Sequence, residues 1–346
     1  MKKRIISLAA AAVFVIGTLA GCGNSSTQTT DTTASSDASS SSGDLVTVRD
    51  AVMTGQLDQY ATEIGLWQGI FEKYGIDLQT TEFVAGINTI DGVVNGTADI
   101  GRMADYAAVN RLGNTLDATN LQIFSQISGG QSALSGGLYV DPKYADNPKS
   151  LDGSAGFMYQ EGTVTYYYAS KCIEYLGLDE SKQNLINTDS SQTRLALIQK
   201  GGASAVYANG SEAKYIEEAG WVQVATSQEI GIQTGSYFLS TDKYISENTD
   251  TLAKFLQAVD ESTQYINDHL DESAEYLADK LGLKAEDFKE NWKNYSFEPG
   301  FSEEATTHLE DIEKWGFEHG SFPKDYNIRD FINTDVAKIA FPDNVT

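Results

Sequence analysis

Residues able to grip a small molecule gather in four stretches where a β-type segment hands over to a helical one: Met53 to Tyr60, Arg102 to Tyr106, Glu161 to Tyr166 and Tyr207 to Ser211. Such turns matter because the first backbone N–H groups of a helix lack intrahelical partners, and together with the helix dipole they favour an anion or a carbonyl oxygen. Arg102 offers a planar fork for a carboxylate, sulfonate or phosphate. The other reading of Arg102 is a bridge to Asp105. Arg194, just before the helical run Leu195 to Gln199, is a second anion candidate. Tyr60, Tyr106 and Tyr207 carry rings suited to stacking on a planar ligand. Asp58, Asp105 and Glu161 lie in the same turns, where a carboxylate either holds an amine or simply complements the start of the helix. Thr163 and Thr165 flank a glycine turn at Gly162, where one hydroxyl can cap the helix and touch a ligand. Met53, Met103 and Gln131 complete the expected ligand-binding set.

The elements that position these turns follow from hydrophobic periodicity. Leu45 to Val52 reads as a strand, and Asp58 to Tyr74 as a helix with Ile64, Trp67, Ile70 and Phe71 on one face, stopped by Gly75. Ile76 to Val84 is a second strand, Ile90 to Val94 a short helix, Ala98 to Gly101 a third strand and Ala104 to Leu112 a helix, before a strand over Gln122 to Ile127. This βαβαβα order predicts an α/β fold with a mostly parallel sheet covered on both faces. Ser154 to Leu178 repeats the strand, glycine turn and helix, and Asn184 to Thr188, Leu195 to Gln199 and Ala205 to Tyr207 continue it, so two α/β lobes are expected. From Thr249 onward helices take over: Thr251 to Asn267, Glu272 to Leu281, Ala285 to Asn294 and Glu303 to His319. Tyr166, Tyr167 and Tyr168 are consecutive, so at least one ring must enter the core.

Residues 1–21 have the pattern of a signal peptide: three positive charges in Met1 to Arg4, then an uncharged apolar run over Ile5 to Ala20. That run is somewhat short for the roughly 20 residues that cross a bilayer as a helix. Residues 22–43, rich in Ser and Thr without a large apolar residue, are expected to be a disordered tether. Beyond the leader the remaining cysteine is Cys172, which excludes an internal disulfide and reads as a buried thiol. His269, His308 and His319 are far apart in charge-rich segments and read as surface residues, so no metal site and no cofactor is expected. A net charge of −25 repels nucleic acid and anionic lipid, so neither is expected as a partner.

Four motifs carry a family resemblance. Leu19-Ala20-Gly21-Cys22 resembles the lipobox of bacterial lipoproteins, which implies lipidation at Cys22. Ile64 through Leu78 is similar to the segment of importer solute-binding proteins in which a helix leads through Phe-x-Lys-x-Gly to a strand. Val93-Val94-Asn95-Gly96-Thr97-Ala98-Asp99-Ile100-Gly101 resembles that family's helix, glycine turn and Asp-Ile-Gly strand. Gly162-Thr163-Val164-Thr165 resembles its glycine loop opening a helix. The family is that of solute-binding proteins of ATP-driven importers, in the branch of nitrate, sulfonate, taurine and thiamine-precursor binders. It implies the type II periplasmic-binding-protein fold: two α/β lobes joined by crossing hinge strands, with a helical C-terminal segment. The lobes would be 44–137 with 235–346, and 138–234, the ligand lying between them.

The resemblance implies an extracytoplasmic monomer, lipid-anchored to the outer face of the cell membrane, that delivers a small solute to permease subunits. Arg-Met-Ala-Asp-Tyr over 102–106 departs from the small hydroxyl residues of the family's anion binders. That points to a small organic solute with a polar and a flat or apolar part, such as a sulfonate, an amino-heterocycle or a vitamin precursor. The alternatives are a surface lipoprotein mediating adhesion, which needs an exposed aromatic patch, and an enzyme on the same fold. Against the enzyme, the chain has no Gly-x-Ser-x-Gly elbow, phosphate loop, His-Glu-x-x-His or Cys-x-x-Cys.

Overall fold

The computed structural model describes residues 45–116, 120–130, 136–151 and 156–346. Residues 1–43, with Cys22 and the expected leader and tether, lie outside them, as does Gln131. Among the described residues no helix is long and apolar enough to cross a membrane.

In chain order the strands are β1 (Val46–Met53), β2 (Ile76–Phe83), β3 (Gly101–Ala104), β4 (Leu121–Gly130), β5 (Gly136–Val140), β6 (Gly156–Tyr159), β7 (Asn184–Asn187), β8 (Ala205–Asn209), β9 (Val222–Thr226) and β10 (Thr234–Thr241). β1 and β2 pair in parallel, from Val46 opposite Ile76 to Met53 opposite Phe83. A parallel bridge from Asp50 to Ile100 sets β1 beside the residues that lead into β3. β10 then lies between β3 and β4, antiparallel to both. Residues 136–226 build a second sheet in the order β7-β6-β8-β5-β9, parallel across β6, β7 and β8 and antiparallel at β5.

The mixed α/β architecture matches the sequence reading, and the mostly parallel sheet does not. β10 is the reason: it follows the whole 136–226 segment and returns against the direction of β3 and β4. Its central residues Tyr237, Phe238 and Leu239 are fully buried. A strand buried on both faces loses the two-residue alternation that would announce it, and β5 and β9 were likewise not foreseen.

Helix boundaries differ for local reasons. The helix expected over Asp58 to Tyr74 is two, Leu57–Trp67 and Ile70–Lys73, because Gly69 adopts a left-handed φ of 66° that interrupts the ladder. Trp67 consequently leaves the buried face and stacks on Tyr276 at 4.2 Å between ring centroids. The third strand lies at Gly101–Ala104 rather than Ala98 to Gly101. Arg194 sits inside the helix Ser191–Gln199 and not before it.

The C-terminal helices cover the first sheet. Thr249–Asp268 buries Leu252, Phe255, Leu256 and Val259, with Phe255 edge-on to Phe238 of β10. Each such side chain contributes roughly 1.5–3 kcal/mol when fully buried. Glu303–Glu318 packs Leu309, Ile312 and Trp315 into the same core cluster as Tyr106, Val109 and Leu112 of the helix Asp105–Asn114. Cys172 is free and buried, and burial pushes its thiol pKa up. Tyr167 and Tyr168 are both buried.

Candidate ligand-binding site

The carboxyl ends of β1, β2, β3 and β6 each deliver a turn to one cavity of about 670 Å³. After β1 come Gln56, Leu57 and Asp58; after β2, Ala85, Gly86 and Ile87; from β3 and the helix that follows, Arg102 to Ala107; and after β6, Gly162, Thr163 and Val164. Ile127, Ser128, Ser236 and Tyr295 complete much of the remaining wall. The helices Leu57–Trp67, Gly86–Val94, Asp105–Asn114 and Val164–Tyr175 therefore all begin at this cavity. Gly86 permits the close approach of two of these turns, since a Cβ there would stand 3.2 Å from the Arg102 carbonyl oxygen. The volume corresponds to about twenty waters of liquid, far beyond a bare inorganic anion and within the range of organic-ligand sites.

Arg102 is 3 % exposed and its fork is already engaged. Nη2 pairs with Asp50, and Nη1 donates to Asp58 Oδ2 at 2.6 Å. Its guanidinium lies 5.0 Å from the Phe238 ring centroid. Burial pushes the Asp50 carboxyl up to about 6, and the pull of Arg102 offsets only part of that. The expected bridge to Asp105 is not formed: the Arg102 side chain instead pairs with Asp50 and Asp58 while remaining part of the cavity wall.

Asp105 lines the cavity but does not offer itself to an amine. Its Oδ1 accepts from the Tyr106 N–H at 2.7 Å, and its Oδ2 accepts from the Gly235 N–H at 2.9 Å and meets His308 Nε2 at 2.8 Å. His308 is thus buried, at 7 % exposure, and not a surface residue. His269 is exposed, while His319 is half-buried and stacks on Trp315 at 4.2 Å.

Met53, Asp58, Arg102, Met103, Asp105, Tyr106, Gly162 and Thr163 all lie on the cavity wall. Thr163 caps the helix Val164–Tyr175 by accepting from the Thr165 N–H. Five expected residues are elsewhere. Tyr60 packs edge-on against Phe288 in another core cluster. Glu161 is exposed and accepts from the Tyr159 hydroxyl. The Thr165 hydroxyl accepts from the Gln160 N–H at 2.8 Å and bonds to Thr163. Arg194 pairs with Glu212 at 2.6 Å, and Tyr207 bonds to Ser227 in the core. The glycine turn and helix start were legible in sequence, but which side chains the helix turns away from the cavity was not.

Sequence reasoning missed Leu57, Ile87, Ile127 and Tyr295. Tyr295 lies in the irregular stretch between the helices Ala285–Trp292 and Glu303–Glu318, where no periodicity marks a facing residue. Its hydroxyl is buried without a hydrogen-bond partner. Burial first, and the nearby Asp58 carboxylate second, push its pKa well up.

Residues 64–273 match the family model described as NMT1/THI5 like. The chain belongs to the NMT1/THI5-like family. No curated protein gives a significant match. The aliphatic sulphonate binding protein SsuA of Escherichia coli is similar at a TM-score of 0.69 and 16 % identity, over 86 % of this chain and 99 % of that one. The nitrate-binding protein NrtA of Synechocystis aligns at 0.58 and 15 % identity, over 86 % and 88 %. A DszB variant solved with biphenyl-2-sulfinic acid aligns at 0.58 and 11 % identity, over 85 % and 99 %. The fold of this NMT1/THI5-like chain is therefore the periplasmic-binding-protein fold. SsuA and NrtA are binding proteins.

Proposed function

We propose that this protein is the extracytoplasmic solute-binding component of an ATP-driven importer, capturing a small organic molecule and presenting it to permease subunits. The observation that supports it most is the cavity itself, mostly apolar, lined by turns from the first sheet and by Gly162 to Val164 from the second. In this reading residues 44–137 with 235–346 form one lobe and 138–234 the other, and contacts from both favour a closed state that the permease reads. Lipidation at Cys22 would hold the protein at the outer membrane face, each buried methylene contributing roughly 0.8 kcal/mol. In this reading the protein acts without chemical turnover, and the buried Asp105 carboxylate, which accepts from the Tyr106 and Gly235 N–H groups and meets His308, has a structural role.

A thermal-shift screen of the full chain against amino acids, amines, nitrogen heterocycles, sulfonates and sugars tests the reading. A true ligand at 100 times its Kd adds about 2.7 kcal/mol of stability. Conversion of a ligand by the protein alone, or a flat response to every class, would overturn it. Mass spectrometry of the N-terminal peptide tests the anchor, with diacylglycerol expected on Cys22 and none in Cys22→Ala.

A further inference from the structure

The charge around the cavity differs from what an anion-binding site requires. Both guanidinium groups on its wall already have a carboxylate partner: Arg102 pairs with Asp50 and Asp58, and Arg111 pairs through Nη2 with Asp91 at 2.8 Å, its Nε being left without a partner. Two of the four helix starts also carry carboxylates in their first turn, Asp58 and Asp105, whose negative charge disfavours an anion there. Asp105 is consumed by backbone N–H groups and His308.

Two residues of the otherwise largely apolar wall have unmet hydrogen-bonding capacity. Asp58 gives Oδ2 to Arg102, and among the described residues its Oδ1 takes no hydrogen bond; the side chain is 12 % exposed and lines the cavity. Tyr295 also lines the wall, and its hydroxyl is buried just behind the cavity surface without a partner. A buried polar atom without a protein partner in a cavity wall calls for one from water or ligand. Arg102 Nε is unpartnered too, in a side chain 97 % buried, but its charge is balanced twice over, so it can donate to a neutral acceptor without drawing in net negative charge.

We infer that the cavity selects a solute with an apolar or aromatic body and a cationic nitrogen head, the head donating to Asp58 Oδ1 and meeting the Tyr295 hydroxyl, and that it disfavours sulfonates, carboxylates and nitrate. This rests on the solute-binding reading. It separates the ligand class of this protein from those in the names of SsuA and NrtA, with which it shares the fold.

Calorimetric titration of the full chain with benzamidine and benzylamine, against benzenesulfonate and benzoate of matched size, decides it. The cations should bind roughly tenfold or more tightly than the anions, because two carboxylates, Asp50 and Asp58, share the single Arg102 charge and the excess negative charge attracts the first and repels the second. Asp58→Asn should weaken benzamidine roughly tenfold, and Tyr295→Phe, which keeps the Arg102 cluster intact, severalfold. Equal or tighter binding of benzenesulfonate overturns the inference and leaves solute capture standing. Unchanged benzamidine affinity in both variants also overturns it. Silence of these four probes overturns the inference, and only a flat response across the broader screen overturns solute capture with it.

Discussion

Arg102 and Arg194 each stand near a strand-to-helix turn, one beside the first sheet and one beside the second, and each is almost fully buried at 3 % and 6 % exposure. Their surroundings diverge. Arg102 is shared by Asp50, itself fully enclosed, and Asp58 on the cavity wall, while Asp50 Oδ1 and Arg102 Nε are left without partners. Arg194 meets Glu212 in a two-point contact, 2.6 and 3.1 Å, with further bonds to Thr188 and Ser191. The second arrangement closes on itself and leaves no polar group over. The first leaves its groups incompletely satisfied, and it alone lies on the cavity wall. Burial of a charge therefore does not by itself distinguish the two clusters; unmet hydrogen-bonding capacity at a residue that lines the cavity does.

The comparison is sharpened first by removing each arginine. Arg102→Met strands two carboxylates and should cost about 3–5 kcal/mol in urea unfolding. Arg194→Met strands a single carboxylate that is 20 % exposed, and should cost about half as much. Equal losses would break the distinction between the two clusters.

The next effect is a pH dependence carried by Asp50 of the first cluster. Asp50 has its folded-state pKa raised from 3.8 to about 6, with burial as the main cause. Between those values the folded protein holds a proton that the unfolded chain has released, so stability falls as pH rises through the window. The span amounts to about 3 kcal/mol by linkage. Unfolding at pH 4.5 and pH 7.5 should thus show a gain on acidification that Asp50→Asn largely removes. Glu313, raised to about 7 by burial and by Asp325, acts in the same sense and is unaffected by that variant. An unchanged slope in Asp50→Asn would show that Asp50 does not carry its proton in this window.

The smallest effects belong to the turn after β6, the contribution of the second sheet to the cavity. Thr163→Ala removes the cap of the helix Val164–Tyr175 and should cost about 1 kcal/mol. Glu161→Ala, exposed and off the cavity wall, should stay within about 0.5 kcal/mol and leave ligand affinity unchanged. A strong binding defect in Glu161→Ala would mean that this turn closes further over the ligand than its position here implies.

Much of the cavity was legible before any coordinates because it is built from turns, and turns announce themselves locally. The glycine-hydroxyl sequence at 162–163 and the change from strand to helix near Met53 and Arg102 locate helix starts without knowledge of distant residues. The partners of the charged residues were not legible. Asp50 is 52 residues from Arg102, and His308 is 203 residues from Asp105. No local pattern links them.

The sequence alone determined the α/β class, the order of most helices and strands, the family resemblance and the set of helix starts, since each rests on periodicity, capping chemistry or short motifs within a few residues. Tertiary structure decided which groups at those starts remain free. It brought β10 back antiparallel between β3 and β4, placed Asp50 beside Arg102, and set Tyr295 on the same wall as Asp58. Electrostatic balance at a site is a sum over neighbours in space, and only the folded chain defines those neighbours.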